Sequence, residues 1–144
     1  MDAQPGTAVL MYIAHREVES RVMAALARSG VGDVTVAQSR LLQRLDPGGM
    51  RLTDLAEQAR VTKQTAGALV DQLERAGYVT RLPDPSDARA RLVTLTDKGA
   101  EMCRRAGAEV ARVEQEWRRH LGDDAYAALR AALLSLREIT DPYR

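Results

Sequence analysis

The chain has 144 residues, 45% hydrophobic and 28% charged, with 21 basic and 20 acidic side chains and a formal net charge of +1. That length suits one globular domain with a real core, and the near-balance excludes both a polybasic tail protein and an acidic disordered chain. One cysteine, Cys103, excludes an internal disulfide and a multi-thiolate metal site.

Glycine and proline mark the breaks, and helical patterns lie between them. Over residues 7–29 the apolar positions Leu10, Ala14, Val18, Val22, Ala25 and Leu26 recur close to the helical period. Thr35 followed by Gln38 is a capping box that opens a short helix through Leu41, Leu42 and Leu45. Thr53 is expected to cap a third helix ending near Ala59, and Thr62 a fourth that runs to about Ala76 and stops at Gly77. Only residues 78–95 read as β: two β-prone runs flank the turn PDPSDA, which predicts a hairpin. Thr96 caps a long helix with the stripe Cys103, Ala106, Val110, Val113, Trp117 and Leu121. After Gly122, Asp123 is expected to cap a last one carrying Leu129, Leu133, Leu136 and Ile139. The expected class is mainly α with a small β-hairpin.

On a wheel of about 100° per residue, Ala68, Asp71 and Arg75 fall within about 40° of Gln64, opposite Ala66, Leu69, Val70 and Leu73. The polar face opens with Lys63, Gln64 and Thr65, and the small Gly67 and Ala68 follow, which would let the backbone approach a surface closely. A short helix precedes, across a turn at Arg60 and Val61, so the spacing is that of a helix-turn-helix. Gln pairs with adenine, Lys with guanine, and a Thr methyl touches thymine, so this first turn suits reading of a major groove. The hairpin tip carries Asp87, Arg89 and nearby Arg91. Arginine there suits a narrow minor groove, with Asp87 placed to hold the guanidinium. Residues 60–91 hold six basic and four acidic side chains, which accounts for the chain's small basic excess.

The stretch LTDLAEQARVTKQTAGALVDQLERAGYVTRLPDPSDARARLVTLTDKG, residues 52–99, resembles the winged helix-turn-helix of MarR-type transcription regulators, and the flanking helices agree in number and length. The resemblance implies a winged helix-turn-helix over residues 31–96 and a helical dimerisation region formed by 1–30 and 97–144. It implies a homodimer that binds palindromic, double-stranded operator DNA and usually represses nearby genes, in response to a ligand. The family's wing motif D-x-R is present as Asp87-Ala88-Arg89, which carries the minor-groove role to Arg89. The recognition-helix role carries to Lys63, Gln64, Thr65 and Ala68, with Arg60, Thr62 and Arg91 beside them. Arg81 matches a common family arginine whose role is phosphate contact or support of the hairpin. One departure is Ala59-Arg60 in the turn, where the motif favours glycine.

His15 and Arg16 lie where family members often bind aromatic carboxylates, so an aromatic or phenolic effector is expected there, against the plainer reading of a solvated helix face. Cys103 shares a stripe with Val110 and Trp117 and is read as packing, with a peroxide sensor as the alternative. His15, His120 and Cys103 are spread over distant segments without ligand spacing, so no metal is expected. Gly30-Val31-Gly32 is only an echo of a phosphate loop, and HExxH, GxSxG and a Walker lysine are missing, so neither an enzyme nor a cofactor is expected. No apolar run approaches the roughly 18 residues that span a bilayer, and no secretory signal is visible. A cytoplasmic protein without membrane contact is the expectation. The alternative function is a winged-helix protein-interaction module that does not bind DNA.

Overall fold

Local sequence chemistry places nearly every element. The computed structural model describes residues 3–143: α1 (Thr7–Arg28), α2 (Val36–Leu42), α3 (Leu52–Ala59), α4 (Lys63–Arg75), β1 (Val79–Asp84), β2 (Asp87–Leu95), α5 (Asp97–Leu121) and α6 (Asp123–Thr140). The capping box closes as the sequence predicts, with Thr35 Oγ1 accepting the Gln38 N–H at 3.1 Å and Gln38 Oε1 accepting the Thr35 N–H at 3.0 Å. Thr62 and Thr96 cap α4 and α5 by accepting from the Thr65 and Gly99 amides.

Three boundaries depart from expectation. The third helix starts at Leu52, so Thr53 lies inside it and Arg51 precedes it without a side-chain cap. Leu52 is packed against the core, and burying it draws the helix back past the threonine. Gly122, at φ 86°, occupies the junction before α6, and Asp123 sits in the first turn, where its carboxylate complements the helix's positive end. Helix α2 stops at Leu42, and the chain continues through turns in which Arg44 and Leu45 donate to the carbonyls of Leu41 and Leu42 at 3.1 Å. The hairpin is also longer than expected. β1 and β2 pair antiparallel from Val79↔Leu95 to Asp84↔Asp87, leaving Pro85 and Ser86 as the turn in place of six residues. Asp84 tightens it by accepting from the Ser86 amide and hydroxyl at 2.8 and 2.7 Å. A single antiparallel bridge between Met50 and Val93 ties the α2–α3 connection to the hairpin.

The core gathers Leu41, Leu55, Ala66, Val70, Leu73, Tyr78, Val79 and Val93, and it also takes in Val22 and Leu26 of α1 and Met102 of α5. The end of α1 and the start of α5 are therefore covered by the same packing as the hairpin and the short helices. Gly99 permits the closest approach: a Cβ there would lie 1.9 Å from the Tyr78 carbonyl oxygen. Tyr78 is buried and donates its hydroxyl to Asp33 at 2.7 Å; burial, helped by that carboxylate, pushes its pKa up to about 12. Arg21 joins α1 to α5, reaching Glu116 at 2.7 Å and the buried Glu109 at 3.2 Å. In contrast, α6 buries no residue, and the first turns of α1 expose Val9, Leu10, Tyr12 and Ile13. Among the described residues no helix is long and apolar enough to cross a membrane.

Candidate nucleic-acid interface

The turn between α3 and α4 is a Schellman-type helix end. Arg60 takes φ 55° and ψ 44°, its N–H donates to Glu57 O at 3.1 Å, and the Val61 N–H donates to Ala56 O at 3.0 Å. The non-glycine departure in the turn thus falls on the left-handed residue itself. Val61 packs against the core, which sets the angle at which α4 leaves.

Helix α4 divides as its wheel predicts. Ala66, Val70 and Leu73 are buried, whereas Lys63, Gln64, Thr65, Ala68, Asp71 and Arg75 are exposed. Gly67 is a correction: it is half-buried and faces Leu52 of α3, where a Cβ would make ordinary van der Waals contact at 3.7 Å, so it does not offer an outward approach. Thr62 is exposed, but its hydroxyl is occupied by the cap, accepting the Thr65 N–H at 3.0 Å and donating to Thr65 Oγ1 at 2.9 Å. The free side chains of the first turn are those of Lys63 and Gln64.

Arg81 fastens the hairpin to this helix. It donates to Glu74 at 2.9 Å and to Asp71 at 2.8 Å, and its own amide donates to Glu74 at 3.2 Å. These pairs tie β1 to α4 and engage the guanidinium with two carboxylates. Asp87 also differs from expectation. Its Oδ1 accepts the Arg89 backbone N–H at 3.0 Å, and its Oδ2 lies 3.8 Å from Arg51, so it shapes the strand at Arg89 without gripping the guanidinium. Arg89 and Arg91 are exposed on β2 and form no ion pair among the described residues.

Sequence reading missed the pair that holds the other side of the hairpin. Arg51 donates to Asp84 at 2.9 Å, and Asp84 is only 9% exposed. The Ser86 amide and hydroxyl, then Arg51, hold the Asp84 carboxyl below the usual range. Aspartate three residues after the arginine of the first strand reads only as turn chemistry, and its partner stands 33 residues earlier.

Elsewhere, a cavity of about 910 Å³ opens between α1, α2, α5 and α6, and His15 and Cys103 line it. Arg16 does not; its guanidinium lies 5.8 Å from the centre of the Tyr12 ring. Burial pushes the Cys103 thiol pKa up, the opposite of what a reactive thiolate needs. Among the described residues, no three His, Cys, Asp or Glu side chains cluster as metal ligands.

The model of the MarR family matches residues 34–90, from Val34 through the hairpin arginine Arg89. The chain is 43% identical over 51 residues to the transcriptional activatory protein BadR of Rhodopseudomonas palustris, spanning 29% of that protein's length and 35% of its own. It is 35% identical over 101 residues to the multiple antibiotic resistance protein MarR of Escherichia coli, covering 67% of this chain and 69% of that one. A cysteine-to-serine variant of E. coli MarR, solved in complex with operator DNA, superposes with a TM-score of 0.67 at 26% identity, over 90% of this chain and 91% of that one. With the winged helix-turn-helix and its flanking helices in place, the chain belongs to the MarR family of transcriptional regulators.

Proposed function

We propose that the protein is a homodimeric, sequence-specific DNA-binding regulator that reads a palindromic operator. In this reading the first turn of α4 enters the major groove through Lys63, Gln64, Thr65 and Ala68, and the hairpin reaches the flanking minor groove through Arg89 and Arg91. Arg60 meets phosphate beside α4, whereas Thr62, Arg81 and Asp87 serve by shaping the surface. The observation that carries it is the contrast among the arginines: Arg81 is locked between hairpin and helix, whereas Arg89 and Arg91 project unpaired from a hairpin held on both sides. A rigid mount with free cations at its edge is what positioning on a duplex requires.

The rest of the chain supplies the second copy. Helix α6 buries nothing, and Leu129, Leu133, Leu136 and Ile139 line it exposed, as do Leu10 and Ile13 on α1. Apolar surface of that extent needs a cover, and α1, α5 and α6 of a second subunit provide it. Two-fold symmetry then sets the recognition helices about 34 Å apart, one turn of DNA. The cavity between α1, α2, α5 and α6 is the site of an effector that releases DNA by preferring a dimer whose helices are wrongly spaced.

Fluorescence anisotropy on duplex DNA from the gene's own upstream region, with scrambled competitor, tests the DNA reading. Competitor-resistant binding is expected, with Arg89→Ala weaker by about tenfold, the size of one lost groove contact. Binding lost equally to both DNAs, or unaffected by Arg89→Ala, would sink the assignment and favour a protein-interaction surface.

A further inference from the structure

We propose that Asp71 reads cytosine at one position of each half-site, with Arg81 as the positioning residue that holds and neutralises its carboxylate. This rests on the reading of α4 as the helix that enters the major groove.

The exposed stripe of α4 runs Gln64, Ala68, Asp71 and Arg75, opposite the buried Ala66, Val70 and Leu73. Asp71 lies seven residues beyond Gln64, two helical turns along one face. A recognition helix reads base edges along a stripe of about that length, so Asp71 falls within the reading surface. It is the only acidic side chain of that stripe.

An unanswered carboxylate there would repel the phosphates that flank the groove. Here it is answered. Asp71 Oδ1 accepts from Arg81 at 2.8 Å, and the same guanidinium donates to Glu74 at 2.9 Å. The Arg81 side chain is 21% exposed and that of Asp71 is 55%, so the pair is anchored at the hairpin and open at the carboxylate. Asp71 Oδ2 has no partner among the described residues. What faces outward is one acceptor oxygen in a fixed place.

An ionised carboxylate accepts and cannot donate. In the major groove guanine presents N7 and O6 and thymine presents O4, all acceptors that this oxygen repels. Adenine offers its N6 amine but sets the N7 acceptor beside it. Cytosine offers the N4 amine with no acceptor of its own alongside, so it is the base that suits a lone carboxylate oxygen.

Selection of binding sites from a random duplex pool by the full-length protein tests this. Wild type, Asp71→Ala, Asp71→Asn and Glu74→Gln are compared, and anisotropy then measures affinity for single-base variants of the wild-type site. The wild type is expected to require cytosine at one position per half-site, binding about tenfold more weakly with any other base there. Asp71→Ala should accept all four bases at that position within about twofold and keep the rest of the site. Asp71→Asn keeps an oxygen on Arg81 and turns the outward group into a donor, so it should lose cytosine and admit guanine or thymine. Glu74→Gln alters the mounting of the hairpin on the same arginine and should leave the cytosine requirement intact. If both Asp71 variants select the wild-type site, or the preference they lose is for another base, the role of Asp71 is overturned and the DNA reading stands. Loss of the same preference in Glu74→Gln also overturns it, because the effect would then come from the hairpin's mounting. If the wild type enriches no sequence, both readings fall.

Discussion

Arg60 is the only non-glycine residue with positive φ among those described. A left-handed residue with a Cβ costs about 1–2 kcal/mol, so Arg60→Gly should stabilise the fold by about 0.5–1 kcal/mol once glycine's greater unfolded freedom is subtracted. Equilibrium urea unfolding measures it. If Arg60 meets phosphate as proposed, the same variant binds DNA more weakly and the salt slope falls by about one. Gain of stability with loss of affinity is the outcome that explains why a strained arginine stands where glycine fits better. The position was legible in the sequence as a departure from the motif, but its conformation was not, because φ is decided by the Schellman bonds to Ala56 and Glu57.

The hairpin is a two-stranded ribbon, and such a ribbon is marginal alone. Arg51–Asp84 on one side, Arg81–Asp71 and Arg81–Glu74 on the other, and the Met50–Val93 bridge hold it to the helices. Asp84→Asn should therefore speed hydrogen exchange of the β2 amides near Arg89 without changing exchange in α5; unchanged β2 exchange would count against the brace. Helix α6 has a comparable anchor at its far end. Asp141 accepts from Arg44 at 2.9 Å and from Arg137 at 2.9 Å, and these arginines hold its carboxyl at about 2. Because the folded pKa is depressed, the contribution is fully present above the unfolded value near 3.9 and is lost as pH falls toward about 2. Thermal melts across that window should drop more steeply for the wild type than for Asp141→Asn.

At the scale of the whole molecule the two regions differ in what covers them. The hairpin and short helices close over Leu55, Val70 and Tyr78, whereas α6 presents Leu133 at 44% and Ile139 at 84% exposure. Leu133→Asp should shift light scattering from dimer to monomer with helical content intact, since that side chain adds nothing to the buried core. Leu55→Ala, by contrast, removes a fully buried side chain and should cost about 2–5 kcal/mol of unfolding free energy. A dimeric Leu133→Asp would place the subunit contact elsewhere.

Periodicity and capping chemistry determined most of the elements from the sequence alone, because they are local: Thr35 and Gln38, Thr62 and Thr65, Thr96 and Gly99 find each other within one turn. The exposed face of α4 and the unpartnered stripe of α6 were legible for the same reason. Contacts between distant positions were not. Arg51 reaching Asp84, Arg81 bridging back to Asp71, Gly67 nesting against Leu52 and Arg44 meeting Asp141 pair residues whose spacing follows no helical or strand period. Nor does spacing say which charges a cavity retains. Arg16 and His15 are adjacent in the chain, yet one turns onto Tyr12 and the other lines the space beside Glu19. Adjacent helix positions point about 100° apart, and only the packing of α1 against α5 decides which of them faces inward.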